Sequence, residues 1–403
     1  MRIATVQFAP KLGDVEGNIK RAEKVLKNAT IKAPGQENGV CVEEGKLDIL
    51  VLPELAFTGY NFPSLEAIKP YLERAGQGPS ATWARETAKQ LGCKVCVGYP
   101  EIELPSSEDG GGQREKYYNS LLVVDENGDV LHNYRKAFLY YTDETWASEG
   151  STELGFRKLT FKNPSSKSVL EDPSPVDNSG SRSGLGEERE IPTSFGICMD
   201  INPYRFEAPY TAFEFATRVL DSKSQLVILS MAWLTMLSRE ELDDLRGKPE
   251  LDTFNYWIQR FMPLIRKRIA YASNADVTNN NNTHTQGDHD KSDKEREGEG
   301  DQERRIIIVF ANRAGEEDGV PLARYAGTSA VIAVSQRPRA LSANAEPRSS
   351  SGGSSDEDEE KPDFDVRILC WDVLGASSEG FCFADTTRDP EMVFQLVRAG
   401  GRG

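Results

Sequence analysis

Phe195-Gly196-Ile197-Cys198-Met199-Asp200 carries an apolar, strand-like run that ends by delivering a thiol to a turn. Asp200 and Pro203 follow before a helix-like segment begins. Two other stretches have the same form. Asp48-Ile49-Leu50-Val51-Leu52-Pro53-Glu54 brings a carboxylate to the end of a buried-strand pattern, and His132-Asn133-Tyr134-Arg135-Lys136 brings an amine to the end of another. One thiol, one carboxylate and one amine, each at a strand end, are the parts of a nucleophilic centre.

Working outward, short apolar runs alternate with helical patterns, which predicts an α/β fold. Strands are expected at 2–8, 48–52, 94–99, 117–124, 130–135, 193–198, 225–230, 306–311, 328–334 and 365–371. Asn127-Gly128 between two of them is a hairpin turn. Helices are expected at 17–30, 79–91, 207–220 and 251–272. Three polar stretches interrupt the pattern: 163–190, 272–304 and 339–363. Each lacks the apolar content to offset its ordering entropy, so each is expected to be a disordered insertion in one catalytic domain spanning 1–403.

The hydrophobic fraction is 38 %, low for a compact protein, and the three polar stretches account for it. The net charge is −16, most of it in those same stretches. An acidic chain gains nothing from nucleic acid or an anionic membrane surface, so neither is expected as a partner. No apolar run approaches a bilayer span, and the N-terminus reads as a first strand and not a targeting segment. A cytoplasmic protein is expected, with the nucleus left open as a second compartment. Cys93 and Cys96 have C-x-x-C spacing, but no second pair completes a zinc set. On a strand they face opposite ways and read as small core residues. No metal or organic cofactor is called for.

Taken alone, Cys198 reads better as a buried structural thiol than as a nucleophile. A thiol attacks only as thiolate, so it needs a base or a neighbouring cation. Of the three histidines, only His132 lies outside low-complexity sequence, which argues against a Cys–His pair. Glu54, carried into dry surroundings, is the better base, because burial raises a carboxylate pKa toward neutrality. An ammonium at Lys136 would lower the thiol pKa and hold an oxyanion. Taken singly, Glu54 also reads as a loop acid and Lys136 as a solvated charge.

Leu52-Pro53-Glu54-Leu55, Tyr134-Arg135-Lys136 and Gly196-Ile197-Cys198-Met199-Asp200, in this order, resemble the carbon–nitrogen hydrolase (nitrilase) superfamily. Ala4-Thr5-Val6-Gln7-Phe8-Ala9-Pro10, Tyr118-Asn119-Ser120, Asn312-Arg313-Ala314-Gly315-Glu316 and Gly327-Thr328-Ser329 extend the match. Within it, Lys136–Trp146, Cys198–Phe206, Phe213-Glu214-Phe215 and Met231-Ala232-Trp233-Leu234 look most like the fungal-type branch that acts on protein N-termini. The resemblance implies a four-layer αββα sandwich, with catalytic Glu, Lys and Cys falling on Glu54, Lys136 and Cys198. A second glutamate of the family falls on Glu144, expected to orient Lys136, and the backbone N–H of Met199 would join the oxyanion site. It implies hydrolysis of the side-chain amide of N-terminal Asn and Gln to Asp and Glu, through a Cys thioester, in the N-degron pathway. The partners are then protein or peptide N-termini bearing those residues.

Such an enzyme must read a free α-ammonium, so an acid should face the pocket. Asp143, Glu144 and Asp200 are the nearest in sequence, and each also reads as an ordinary loop or capping acid. Tyr60 and Trp233 are expected to wall the pocket. Many superfamily members place an Arg shortly after the Asp that follows the nucleophile; here Ile201-Asn202-Pro203-Tyr204-Arg205 departs from that spacing. Two other readings stay open: a small-molecule amidase or carbamoylase of the same fold, and an inactive relative serving as an interaction module. Oligomeric state is not legible in the chain.

Overall fold

The computed structural model describes residues 1–31, 39–105, 114–162, 188–270, 303–319, 321–338 and 364–395. Most of the three polar stretches lies outside these residues. Their described edges are strand: Glu188 opens the strand Glu188–Ile197, and Arg304 opens Arg304–Ala311.

Two mixed sheets form the centre. The first has six strands in the order Gly380–Asp385, Arg2–Gln7, Ile49–Val51, Lys94–Glu103, Lys116–Val124, Val130–Arg135. Its middle strands Arg2–Gln7, Ile49–Val51 and Lys94–Glu103 run parallel. The second has seven, in the order Met392–Gln395, Phe364–Val373, Ala330–Pro338, Arg304–Ala311, Leu226–Ser230, Glu188–Ile197, Phe156–Lys162. There Leu226–Ser230 runs parallel to both of its neighbours.

The period-two alternation of the first sheet assigns its faces. Ile3, Ile49, Val51, Cys96, Leu121 and Val123 pack toward the second sheet, in one core with Phe195, Ile228 and Ile308. Ala4, Val6, Leu50, Val95, Val97, Leu122 and Val124 point the other way, onto Ala22 and Trp83 of the helices Val15–Asn28 and Gly78–Leu91. The far face of the second sheet is covered by Glu214–Asp221, Leu251–Gln259 and Met262–Arg266, through Phe215, Trp257 and Leu264. Four layers result, helices outside and sheets inside, as the resemblance implied. Cys93, just before the strand Lys94–Glu103, and Cys96 within it fall in different cores.

The structure corrects three element expectations. The helix expected over 207–220 begins only at Glu214, because Phe213 sits at φ 46° and the preceding residues form short 3₁₀ turns. The helix expected over 251–272 stops at Gln259 and restarts at Met262, where Pro263 opens the new turn. The strands Phe156–Lys162, Gly380–Asp385 and Met392–Gln395 were not expected, and all three lie at sheet edges. Among the described residues, no helix is long and apolar enough to cross a membrane.

Two glycines allow the close packing that the centre of the fold needs. At Gly196 a Cβ would lie 2.7 Å from the Phe215 ring. At Gly98 it would lie 2.7 Å from Glu54 Cα, Leu55 N and Pro53 O, so the loop carrying Glu54 crosses directly over this strand. The neighbours at Gly98 are backbone and cannot swing aside. Gly98→Ala should therefore lower the unfolding free energy by about 1–3 kcal/mol. Gly380→Ala, whose nearest atoms lie at 3.5 Å or beyond, should be close to neutral. Urea unfolding of both variants checks this, and equal midpoints would contradict the crossing argument.

Candidate active site

The three strand ends meet. Glu54 follows Ile49–Val51, Lys136 follows Val130–Arg135, and Cys198 follows Glu188–Ile197. The first two strands belong to one sheet and the third to the other, so the centre forms where the sheets abut.

Lys136 is fully buried and its Nζ lies 2.6 Å from Glu54 Oε1 and 2.6 Å from Asp143 Oδ2. Asn119 ties the two acids together, donating to Glu54 Oε1 at 2.7 Å and to Asp143 Oδ1 at 2.9 Å. Glu54 also crosses to the second sheet. The backbone N–H of Ala232 donates to its Oε2 at 2.7 Å, and its own N–H donates to the Met231 carbonyl at 3.3 Å. Asp143 is completed by the Tyr60 hydroxyl at 3.1 Å and the Tyr140 N–H at 3.0 Å.

Two carboxylates share one ammonium in a dry site, and the electrostatics follow from that. Burial pushes the Glu54 carboxyl above its ordinary value; Lys136 pulls it down and Asp143 pushes it up again. Burial alone would lower the Lys136 pKa, but Asp143 and Glu54 outweigh it and the ammonium is held. Cys198 departs from expectation. Burial, with the Glu54 charge, pushes its thiol well above the usual range, against the pull of Lys136 and an Ala232 N–H. The resting sulfur is a thiol, and it needs a base during reaction.

Cys198 sits at φ 41°, a left-handed conformation rare for a residue with a side chain. Asp200 holds the turn there. It is buried and accepts from Ile197 N–H at 2.8 Å, Ala137 N–H at 3.1 Å, Phe138 N–H at 2.8 Å and the Tyr134 hydroxyl at 2.8 Å. One carboxylate thus fixes the thiol turn to the chain that immediately follows Lys136.

A cavity of about 490 Å³ opens onto Cys198. Tyr60, Tyr140, Met199 and Trp233 are among its walls, and Phe206 and Met236 form an exposed apolar rim. Glu54 and Lys136 lie behind the sulfur and have no solvent exposure. Among the described residues, no group of three or more His, Cys, Asp or Glu is arranged to hold a metal.

Of the residues singled out in the sequence, Glu54, Lys136, Cys198, Met199, Tyr60 and Trp233 come together here. Three acids do not stand where expected. Glu144 is exposed, and the position beside Lys136 belongs to Asp143, because the 3₁₀ turn Asp143–Thr145 turns its first residue inward. Asp143 and Asp200 are each occupied by protein donors on both oxygens, which leaves neither as an open acid facing the cavity. Arg205 lies on the surface beside Glu149, so Asn202 and not an arginine lines this side of the cavity. The sequence reading gave no role to Asn119, although Tyr118-Asn119-Ser120 was among the matching motifs. It also had no signal for the Ala232 N–H, which is a backbone group.

Known proteins resemble this chain in sequence and in fold. Residues 2–162 match the carbon-nitrogen hydrolase family. Protein N-terminal amidase of Saccharomyces cerevisiae is 33% identical over 256 residues, covering 62% of this chain. The chain thus spans about half of that relative's length, the alignment covering 49% of it. Protein N-terminal amidase of Schizosaccharomyces pombe is 29% identical over 349 residues, covering 83% of this chain and 92% of the relative. A crystal structure of N-terminal amidase with a Gln-Gly peptide shares the fold, with a TM-score of 0.61, 23% identity and 99% of both chains covered. Residues 2–162 thus resemble the carbon-nitrogen hydrolase family, and the chain has the fold of the N-terminal amidase crystal structure.

Proposed function

We propose that the protein hydrolyses the side-chain amide of N-terminal Asn and Gln residues of proteins or peptides, releasing ammonia. The observation that carries this is the cavity wall at Cys198, a thiol backed by a buried carboxylate and ammonium. The likeness to two protein N-terminal amidases supports the choice of substrate. So does the exposed rim of Phe206 and Met236, which leaves room for a chain continuing past its first residues. A small-molecule amidase would gain nothing from such an open mouth.

In this reading the Glu54 carboxylate takes the proton from Cys198 Sγ as the sulfur attacks the carboxamide carbon. Lys136 has three N–H donors and gives one each to Glu54 and Asp143. The third serves the tetrahedral oxyanion, together with the Met199 N–H. Collapse of that intermediate breaks the C–N bond, and Glu54 passes its proton to the departing ammonia. Glu54 then takes a proton from water, whose oxygen attacks the thioester. The thiolate leaves and regains its proton from Glu54. The raised pKa of Glu54 suits both directions of this shuttle. Asp143 fixes the ammonium and does not touch substrate.

Cys198→Ala should abolish ammonia release from Asn- and Gln-initiated peptides, and acetylating the peptide N-terminus should do the same with the intact enzyme. Unchanged turnover of acetylated peptide would favour the small-molecule amidase. The pH profile tests the arrangement behind the sulfur. The base must be ionised to accept a proton, so kcat/KM should fall as pH drops through the raised Glu54 pKa. The acid limb therefore lies above the ordinary glutamate range. Asp143→Asn removes one negative neighbour, so the limb should move to lower pH and kcat should fall about 10- to 100-fold. Glu144→Gln should change neither. A Glu144→Gln profile shifted like that of Asp143→Asn would reverse the assignment.

A further inference from the structure

Glu250 is an acid that the arrangement behind Cys198 does not use. It precedes the helix Leu251–Gln259, with its backbone N–H donating to Thr328 Oγ1 at 3.0 Å. The residue is only 9% exposed and lines the same cavity as Cys198. Its Oε2 is shielded from water and accepts no hydrogen bond from any described residue. Among the described residues no Lys or Arg forms an ion pair with it. A carboxylate oxygen buried without a donor is costly, and native folds rarely keep one without a use.

We propose that Glu250 is the group that binds the α-ammonium of the substrate, an inference that rests on the N-terminal amidase reading above. An ammonium brings the positive charge that this carboxylate lacks and an N–H donor for its unpartnered Oε2. The surrounding walls favour a cation as well. The Trp233 and Tyr256 rings both line the cavity with centroids 5.5 Å apart, and aromatic faces attract ammonium groups. The other acids near the cavity are less suited. Asp143 and Asp200 are occupied by protein donors, and Asp252 is exposed to solvent, where a charge pair is screened. Burial pushes the Glu250 carboxyl upward, against the hydroxyls of Thr235 and Thr253, and an arriving ammonium would return it to the ionised form.

The assignment separates reading the amine from breaking the amide. It predicts that Glu250 sets discrimination for a free N-terminus and leaves the chemical step to other residues. The test uses the full-length enzyme, an Asn-initiated peptide and the same peptide lacking its α-amine. Glu250→Gln should raise KM for the amine-bearing peptide about 10- to 100-fold, the worth of one charge-assisted hydrogen bond, and change kcat far less. The peptide without an amine, a poor substrate of the wild-type enzyme, should not become a poorer one, so the preference for the amine shrinks. Glu250→Asp should recover part of it, and Asp252→Asn should match wild type. Calorimetric binding of the Asn peptide to Cys198→Ala, with and without Glu250→Gln, reads the same loss without turnover. Equal thermal midpoints for Glu250→Gln and wild type establish that the variant is folded; if it is not, Glu250→Asp carries the comparison. An unaltered KM and unaltered amine preference in the Glu250 variants would overturn this assignment alone. So would a loss that follows Asp252→Asn. A wild-type enzyme that releases no ammonia from the Asn peptide would instead overturn the amidase reading and this inference with it.

Discussion

The buried ammonium of Lys136, gripped between Glu54 and Asp143, is the interaction on which the rest of the centre depends. No water reaches it, so nothing but protein can balance its charge. Removing one partner of such a buried pair costs about 3–5 kcal/mol, because a charge is left without compensation. Two acids to one ammonium is also an unbalanced count. Burial raises the Glu54 pKa and the second acid adds to it against the pull of Lys136, which is what a group that must both take and return a proton requires.

A second constraint joins the halves of the molecule. Lys136 hangs from one sheet and Cys198 from the other, and each sheet could slide on its neighbour without a fixed link. Asp200 supplies that link, with hydrogen bonds to both strand ends at once. Glu54 adds another through Ala232 and Met231. The left-handed turn at Cys198 is held by these contacts, which offset the strain of presenting a side chain there. The same polar groups that bind the sheets together thus also define the site.

Much of this was legible in the chain. The buried-strand runs before Glu54, Lys136 and Cys198 announced strands, and the order of the motifs resembled a family whose four-layer architecture the structure has. The continuous apolar run at Ile49–Val51 announced a strand buried on both faces, and its residues do divide between two cores. What escaped was local. Asp143 and Glu144 are adjacent acids of the same type, and nothing in their order says which one a 3₁₀ turn will point inward. The raised thiol pKa at Cys198 also went the opposite way from the sequence argument, because burial outweighs the nearby cation. Sequence shows that a cation is near, but not how much water has been removed.

The chain by itself determined which chemical groups were available and that they would stand at the ends of strands, since strand propensity and turn residues are local properties. Tertiary structure decided which acids were consumed by the fold and which was left open. Asp200 sits two residues from the nucleophile and is taken up by four protein donors. Glu250 lies far along the chain and reaches the cavity with an oxygen still unpaired. Hydrogen-bond satisfaction depends on every group that packs around an atom, and no stretch of sequence contains that neighbourhood.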